Sequence, residues 1–232
     1  MTLTKSNQGY HDRIQRAKSW VTRAEACAAL DWEDDHGQFV FYWIALSALC
    51  GWVDPAALDK GRRNRGTRTR VGYSDDDAAW FLRKVCELDG DGTIRAALDA
   101  VKPKADNLLR DKYLMDLYWR KASPSRVERR WRSEHEDAQQ HFRDDDVDKY
   151  LALVLRRMRV LRNQVFHGGT TDRISLGKHS VSRAVGVLEV LLPAFLSVMQ
   201  RHGKDTDWPL IPYPRRGSPQ SPEPRSEDTI GR

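Results

Sequence analysis

Apolar residues recur along this chain at spacings of three and four, and convincing alternation of apolar and polar positions is absent. Spacing of this kind is typical of amphipathic α-helices and not of half-buried β-strands. The pattern predicts a first helix over about residues 10–30 and a second over about 36–49. The second carries FVFYWIALSAL, which is apolar on nearly every side, as expected for a helix in the middle of a bundle. We therefore expect an all-α, up-and-down helical bundle.

The same period continues through the rest of the chain and predicts extra helices. Further helices are expected at about 74–89, 93–101, 105–121, 125–142, 144–167 and 179–202. Pro103 is expected to separate two of these segments, because proline removes a backbone donor and disturbs a helix interior. Pro193 is expected to bend the last helix for the same reason.

Two stretches lack this periodicity. Residues of about 59–73 hold six lysines and arginines between Lys60 and Arg70 together with internal glycines, which predicts a basic loop insertion. Residues 203–232 are rich in proline and poor in apolar anchors, which predicts a largely disordered tail. The organisation expected is one domain over 1–202, followed by this tail.

Composition and charge narrow the expected partners and the cellular compartment. The net charge is +6 and the pI is about 9.3, which suits a polyanionic partner such as RNA. The longest apolar stretch, 184–199, contains Glu189 and Pro193, which indicates a core helix and no membrane span. Three separate cysteines within apolar runs indicate buried thiols, and no apolar signal peptide opens the chain. A cytoplasmic protein is expected.

The end of the predicted 144–167 helix, LRNQVFHGG, concentrates side chains that can do chemistry. Asn163 and His167 are four residues apart, so they share one face of a helix, and the adjacent Arg162 can reach the same line. Gly168 is a usual residue just after a helix. Histidine can give and accept a proton near neutral pH. The alternative is structural, because arginine and histidine also stabilise a helix C-terminus.

The segment from Arg162 to His167 resembles the R-x4–6-H motif of the HEPN superfamily, in which asparagine often follows the arginine, as Asn163 does here. FVFYWIALSALCGW is similar to the early helix of the Apea-like HEPN group, which tends to read W-I-A-x-N-A-L. Ser47 departs from that pattern, because it stands where asparagine is expected. The resemblance covers about residues 10–202 and implies a bundle of HEPN type.

This resemblance implies a metal-independent endoribonuclease without a cofactor, in which a ribose 2′-hydroxyl attacks the adjacent phosphate. His167 would be the general acid or base, and Arg162 would hold the scissile phosphate. Asn163 would orient the histidine or the phosphate by hydrogen bonding. The family usually builds one site from two facing copies of this helix, which implies a homodimer with a composite site. A role as a toxin or phage-defence effector, with an antitoxin or another regulatory protein as partner, follows by analogy alone.

Other arginines are candidates for RNA binding. Arg159 lies four residues before Asn163 and extends the same line, whereas Arg156 and Arg157 are expected on a solvated face. The basic loop offers four more candidates, with a solvated insertion as the alternative. They are Arg62, Arg63, Arg65 and Arg68.

A structural interpretation is favoured for two further features, Trp131 and a possible set of metal ligands. Trp131, in the basic stretch RVERRWR, could stack on a base, but anchoring its helix to the core is favoured. Glu134, Asp137 and His141 suggest metal ligands, yet no second cluster completes a coordination shell, so a surface ion pair is favoured.

The alternative function is a non-catalytic HEPN-like module that binds RNA, a nucleotide or a protein partner. In that case Arg162 and His167 would form a binding or dimer contact. A third class, a structural helical interaction domain, predicts neither binding nor cleavage of RNA.

Overall fold

A computed structural model describes residues 5–29, 34–51, 75–168 and 175–209. Within these ranges the chain is α-helical and contains no β-strand, which confirms the all-α prediction. The helices are α1 (Lys5–Ala28), α2 (Asp35–Cys50), α3 (Asp75–Glu87), α4 (Thr93–Arg110), α5 (Asp116–Trp119), α6 (Pro124–Arg143), α7 (Val147–Phe166) and α8 (Ser175–His202), with a 3₁₀ turn at Lys112–Leu114. The predicted basic loop, with Arg62, Arg63, Arg65 and Arg68, lies outside the described residues.

Helix α2 occupies the middle of the bundle, as its apolar sequence predicts. It packs against α1, α8, α3 and α7, and its large side chains such as Phe39 and Leu46 are fully buried. Asp34 caps its start, because its Oδ1 accepts the backbone N–H of Gly37 at 2.8 Å. Ser47, at the position where the resemblance has asparagine, donates its hydroxyl to the Trp43 carbonyl at 2.8 Å. Its hydrogen bond therefore stays within α2.

Helix α8 is a core helix that packs along α4 and α2. Its segment Lys178–His202 is long and apolar enough to cross a membrane, but 67% of its most apolar stretch is buried within the protein. Burial of that extent is typical of the central helix of a folded domain.

Pro103 does not separate two helices as predicted, because α4 runs through it without a break. Buried side chains lie on both sides of the proline, Leu98 and Val101 before it and Ala105 and Leu108 after it. Their packing, mainly against α8, offsets the loss of one backbone hydrogen bond. Asp111 then ends the helix, and its carboxylate accepts the backbone N–H of Tyr113 at 2.9 Å.

The residues that follow α8, as far as Pro209, pack onto the bundle. Trp208 is only 1% exposed, and its indole N–H donates to the Gly203 carbonyl at 2.8 Å. The fully buried Arg13 donates to the carbonyls of Leu49 and Pro209. Burial lowers the pKa of Arg13 to about 10, and these hydrogen bonds tie α1 to the C-terminal segment.

Candidate functional site

Helix α7 ends where the sequence predicts. His167 is its C-terminal cap, and its backbone N–H donates to the Asn163 carbonyl at 3.1 Å. Gly168 follows with a φ of +68° and donates its N–H to the Val165 carbonyl at 3.2 Å. A positive φ favours glycine, because a side chain there crowds the backbone. The chain therefore leaves the helix immediately after the candidate histidine.

The exposed face of this helix end borders a cavity of about 510 Å³, which we call the site groove. Arg159, Asn163 and His167 line it from α7, at the four-residue spacing that the sequence analysis identified. His167 is exposed. The other lining residues are Asp116, Trp119, Arg120, Val160 and Gln164. The groove thus joins an imidazole, an amide and a guanidinium that a ligand can reach.

Arg162, the first residue of the motif, does not line this groove. Its guanidinium lies over the Phe166 ring, 4.2 Å from the centroid, and its Nη1 donates to Asn163 Oδ1 at 3.1 Å. Its Nε is buried without a hydrogen-bond partner among the described residues. Asn163 therefore connects the arginine, which lies beside the groove, to the groove itself.

The opposite wall comes from the short helix α5, whose residues are not among the predicted site residues. One acceptor, the Tyr113 carbonyl, binds Gln164 Nε2 at 2.8 Å and Trp119 Nε1 at 2.7 Å. This shared carbonyl fixes α5 against the end of α7. The Trp119 ring remains 55% exposed beside the groove, with Tyr118 packed edge-on against it. The aromatic content of the segment YLMDLYW is the sequence signal for this wall.

Arg157 does not lie on a solvated face as expected, because its side chain is almost completely buried. Its Nη2 lies 2.9 Å from Oε2 of Glu134, a buried carboxylate of α6 that also contacts Arg130 at 2.7 Å and Arg156 at 3.3 Å. Burial lowers the pKa of Arg157, and the Glu134 charge opposes that shift. This arginine joins α7 to α6 and has a structural role.

The three residues that resembled metal ligands are dispersed among other contacts. Glu134 is surrounded by arginines, and His141 Nδ1 lies 3.2 Å from Asp146 rather than beside Asp137. The described part of the chain contains no group of three or more histidine, cysteine, aspartate or glutamate side chains placed to hold a metal ion. His141 therefore contacts Asp146, a carboxylate outside the predicted set, and Glu134 pairs with arginines.

The cysteines and Trp131 have structural surroundings. Cys27 and Cys50 are buried free thiols and Cys86 is half-buried, and burial raises the pKa of Cys86 to about 12. Trp131 is half-buried, stacks on His135 and donates its indole N–H to the Arg110 carbonyl at 3.1 Å. It anchors α6 to the end of α4, in line with the favoured anchoring role, although it lies at the margin of the core.

No family model, curated protein or solved structure matches this chain. The class defined by the fold is an all-α bundle with an exposed groove at the end of α7. The residues of that groove, together with the resemblance in sequence, are the basis for a proposed function.

Proposed function

We propose that this protein is a metal-independent endoribonuclease of HEPN type, which cleaves RNA by attack of a ribose 2′-hydroxyl on the adjacent phosphate. One observation carries the proposal: exposed His167 shares a single groove with Asn163 and Arg159. An imidazole can transfer protons near neutral pH, and a guanidinium binds phosphate oxygens in a fork. The groove thus holds the two kinds of group that this reaction requires.

The reaction needs two proton transfers. A general base removes the proton of the 2′-hydroxyl, a bond forms between the 2′-oxygen and phosphorus, and the bond from phosphorus to the 5′-oxygen breaks. A general acid then protonates the leaving 5′-oxygen. The products are a 2′,3′-cyclic phosphate and a 5′-hydroxyl. His167 supplies one of these two groups, and a second copy of His167 supplies the other in a dimer.

The position of Arg162 supports a composite site. Within a single chain, the Arg162 guanidinium lies on the Phe166 ring and outside the site groove. Phe166 is exposed, and large exposed aromatic side chains mark interaction surfaces when they cluster. We propose a homodimer in which the ends of two α7 helices face each other, so that the Arg162 of one copy serves the His167 of the other. An antitoxin or another regulatory protein as partner, and a cytoplasmic role as toxin or phage-defence effector, belong to this proposal by analogy.

Analysis of the product ends tests the reaction class. The purified protein is incubated with RNA in EDTA, and with RNA of the same sequence that carries 2′-O-methyl groups throughout. We expect cleavage of the unmodified RNA alone, with 2′,3′-cyclic phosphate and 5′-hydroxyl ends. Cleavage of the methylated RNA, or ends that carry a 5′-phosphate, would exclude attack by the 2′-hydroxyl.

A second candidate function is RNA binding without cleavage. The observation that favours it is the contact of Arg162 with Phe166 and Asn163, because an arginine held by its own helix is less available to a phosphate. This function predicts that RNA binds to the protein and keeps its full length in the same incubation.

A further inference from the structure

A second cavity, of about 650 Å³, lies beside the site groove, and we call it the arginine groove. Two helices supply its arginines, α6 with Arg126, Arg129 and Arg130 and α7 with Arg156 and Arg159. Asp116, Leu117 and Glu134 complete its walls. Five guanidinium groups therefore face two carboxylates in a single open cavity.

The carboxylates do not neutralise this positive charge. Glu134 is shared among three guanidiniums, those of Arg130, Arg156 and the buried Arg157. Asp116 lies 3.4 Å from Arg120, an arginine of the site groove. One buried carboxylate with three cationic partners leaves an excess of positive charge along this wall.

Two arginines of the groove are available to a ligand. Arg126 and Arg129 are exposed on α6, and their side chains make no hydrogen bond or ion pair with other described residues. They lie three residues apart and so share one helix face. A guanidinium in this state keeps all of its donors for an incoming phosphate.

The arginine groove adjoins the site groove, because Arg159 and Asp116 line both. We propose that the arginine groove binds the backbone phosphates of a single RNA strand on one side of the link that lies near His167. This inference rests on the proposed function for the identity of the strand. Arginines on two helices, along a groove that adjoins the site groove, fit successive phosphates of a strand better than one small anion.

Salt-dependent RNA binding tests this inference. A fluorescent single-stranded RNA is titrated with the His167→Ala protein, in which cleavage does not interfere, at several salt concentrations. Adding Arg126→Ala and Arg129→Ala is expected to weaken binding about tenfold at roughly 0.1 M salt. The association constant K falls as salt rises, so the slope of log K against log salt is negative. The magnitude of this slope should decrease by about 1.4, because each phosphate of a single strand that an arginine neutralises contributes roughly 0.7 to it.

The matched control removes two guanidiniums elsewhere. Arg23 on α1 and Arg83 on α3 are exposed and line neither groove, so the pair Arg23→Ala and Arg83→Ala should leave both affinity and slope unchanged. Equal losses of affinity for the two pairs would overturn the inference, as would an unchanged slope for the groove pair. A wild-type protein that binds no RNA would also overturn it.

The two proposals fail in different ways. If wild-type protein never cuts RNA, yet its binding depends on Arg126 and Arg129, then the endoribonuclease proposal fails and the arginine groove stands. If the protein with both groove substitutions, and with His167 intact, binds and cuts RNA as wild type does, then the groove assignment fails and the endoribonuclease proposal stands.

Discussion

Arg157 and Arg159 are two residues apart on α7, and the helix places them in opposite surroundings. Arg157 is 2% exposed and pairs with buried Glu134, whereas Arg159 is half-buried and lines a cavity together with exposed His167. Arg157 is enclosed by the bundle, whereas Arg159 borders open space along the site groove. The same residue type therefore has a structural role in one place and a candidate binding role in the other.

The position of each arginine relative to the buried apolar face of α7 explains this difference. Arg157 lies three residues after Val154 and four before Leu161, both of which are fully buried. It therefore points along the face that packs into the bundle. Arg159, Asn163 and His167 follow a separate line, four residues apart, along the groove.

The largest expected effect on stability concerns the buried carboxylate. Glu134→Ala leaves Arg157 buried without its 2.9 Å partner. Removal of one member of a buried ion pair costs about 3–5 kcal/mol, so the free energy of unfolding in urea should fall by about that amount. Glu136→Ala, on the exposed face of α6, is the control and should change it by less than about 0.5 kcal/mol. A Glu134→Ala protein as stable as wild type would contradict the structural role of Arg157.

The next effect concerns the exposed wall of the site groove. Trp119→Ala should weaken binding of single-stranded RNA by about 1–3 kcal/mol, the usual contribution of one base stacked on an aromatic ring. Trp119→Phe is the matched control, since both variants lose the hydrogen bond to Tyr113 and only one loses the ring. Fluorescence titration in the His167→Ala background measures both affinities. Equal affinities of the two variants would show that the ring binds no base.

The glycine after His167 should be more sensitive to substitution than a glycine in a neighbouring turn. A Cβ added at Gly168 meets no atom within 4 Å, so the cost of Gly168→Ala comes from its φ of +68° alone and should be about 1–2 kcal/mol. Gly90 has equally open surroundings and no positive φ, so Gly90→Ala should cost a few tenths of that. Urea unfolding of both variants gives the comparison. If Gly168→Ala costs no more than Gly90→Ala, the left-handed end of α7 does not form.

The smallest effect concerns Asp106, which binds α7 to the bundle. Its carboxylate accepts the Tyr150 hydroxyl at 2.8 Å and Gln139 Nε2 at 3.1 Å, and it pairs with Lys102. Burial alone would raise the pKa of Asp106, but these hydrogen bonds lower it below its ordinary value of 3.8. A lowered pKa in the folded state means that the charge stabilises the protein above that value and ceases to do so as the pH falls through the folded-state pKa.

Asp106→Asn should therefore lower the free energy of unfolding by about 1 kcal/mol near pH 7, where the carboxylate is ionised. The difference from wild type should shrink as the pH falls below 3.8, where the unfolded carboxyl takes up a proton. Urea unfolding at about pH 7 and about pH 3 measures both differences. A difference that stays constant or grows in acid would contradict the lowered pKa.

Local patterns in the sequence predict much of the fold. Two elements are recognisable because their spacing is short-range: α2, which is apolar on nearly every side, and the buried face of α7 with Leu151, Val154, Leu155, Met158 and Leu161. The continuity of α4 cannot be recognised in this way, because Pro103 predicts a break locally. Packing against α8, which is distant in sequence, keeps the helix continuous. The contacts of Trp208 with Trp80 and Phe81 are not predictable from spacing either, because these residues are distant in sequence and meet only in the folded bundle.

The candidate site also contains residues that local spacing predicts and residues that it does not. The line of Arg159, Asn163 and His167 follows from helix geometry, and all three residues lie along one side of the groove. Trp119 and the arginines of α6 come from other segments, so the sequence does not show that they meet α7. The position of Arg162 on Phe166 depends on a choice of side-chain conformation, which spacing does not determine.

The rate at which His167→Ala protein cuts RNA in EDTA tests the central claim most directly. His167 is exposed, so its loss should leave the melting temperature unchanged and slow cleavage by about 10²–10⁴-fold. His11→Ala, which removes an exposed histidine of α1, should cut RNA at the wild-type rate. Cleavage by the folded His167→Ala protein at the wild-type rate would show that the end of α7 is not the active site.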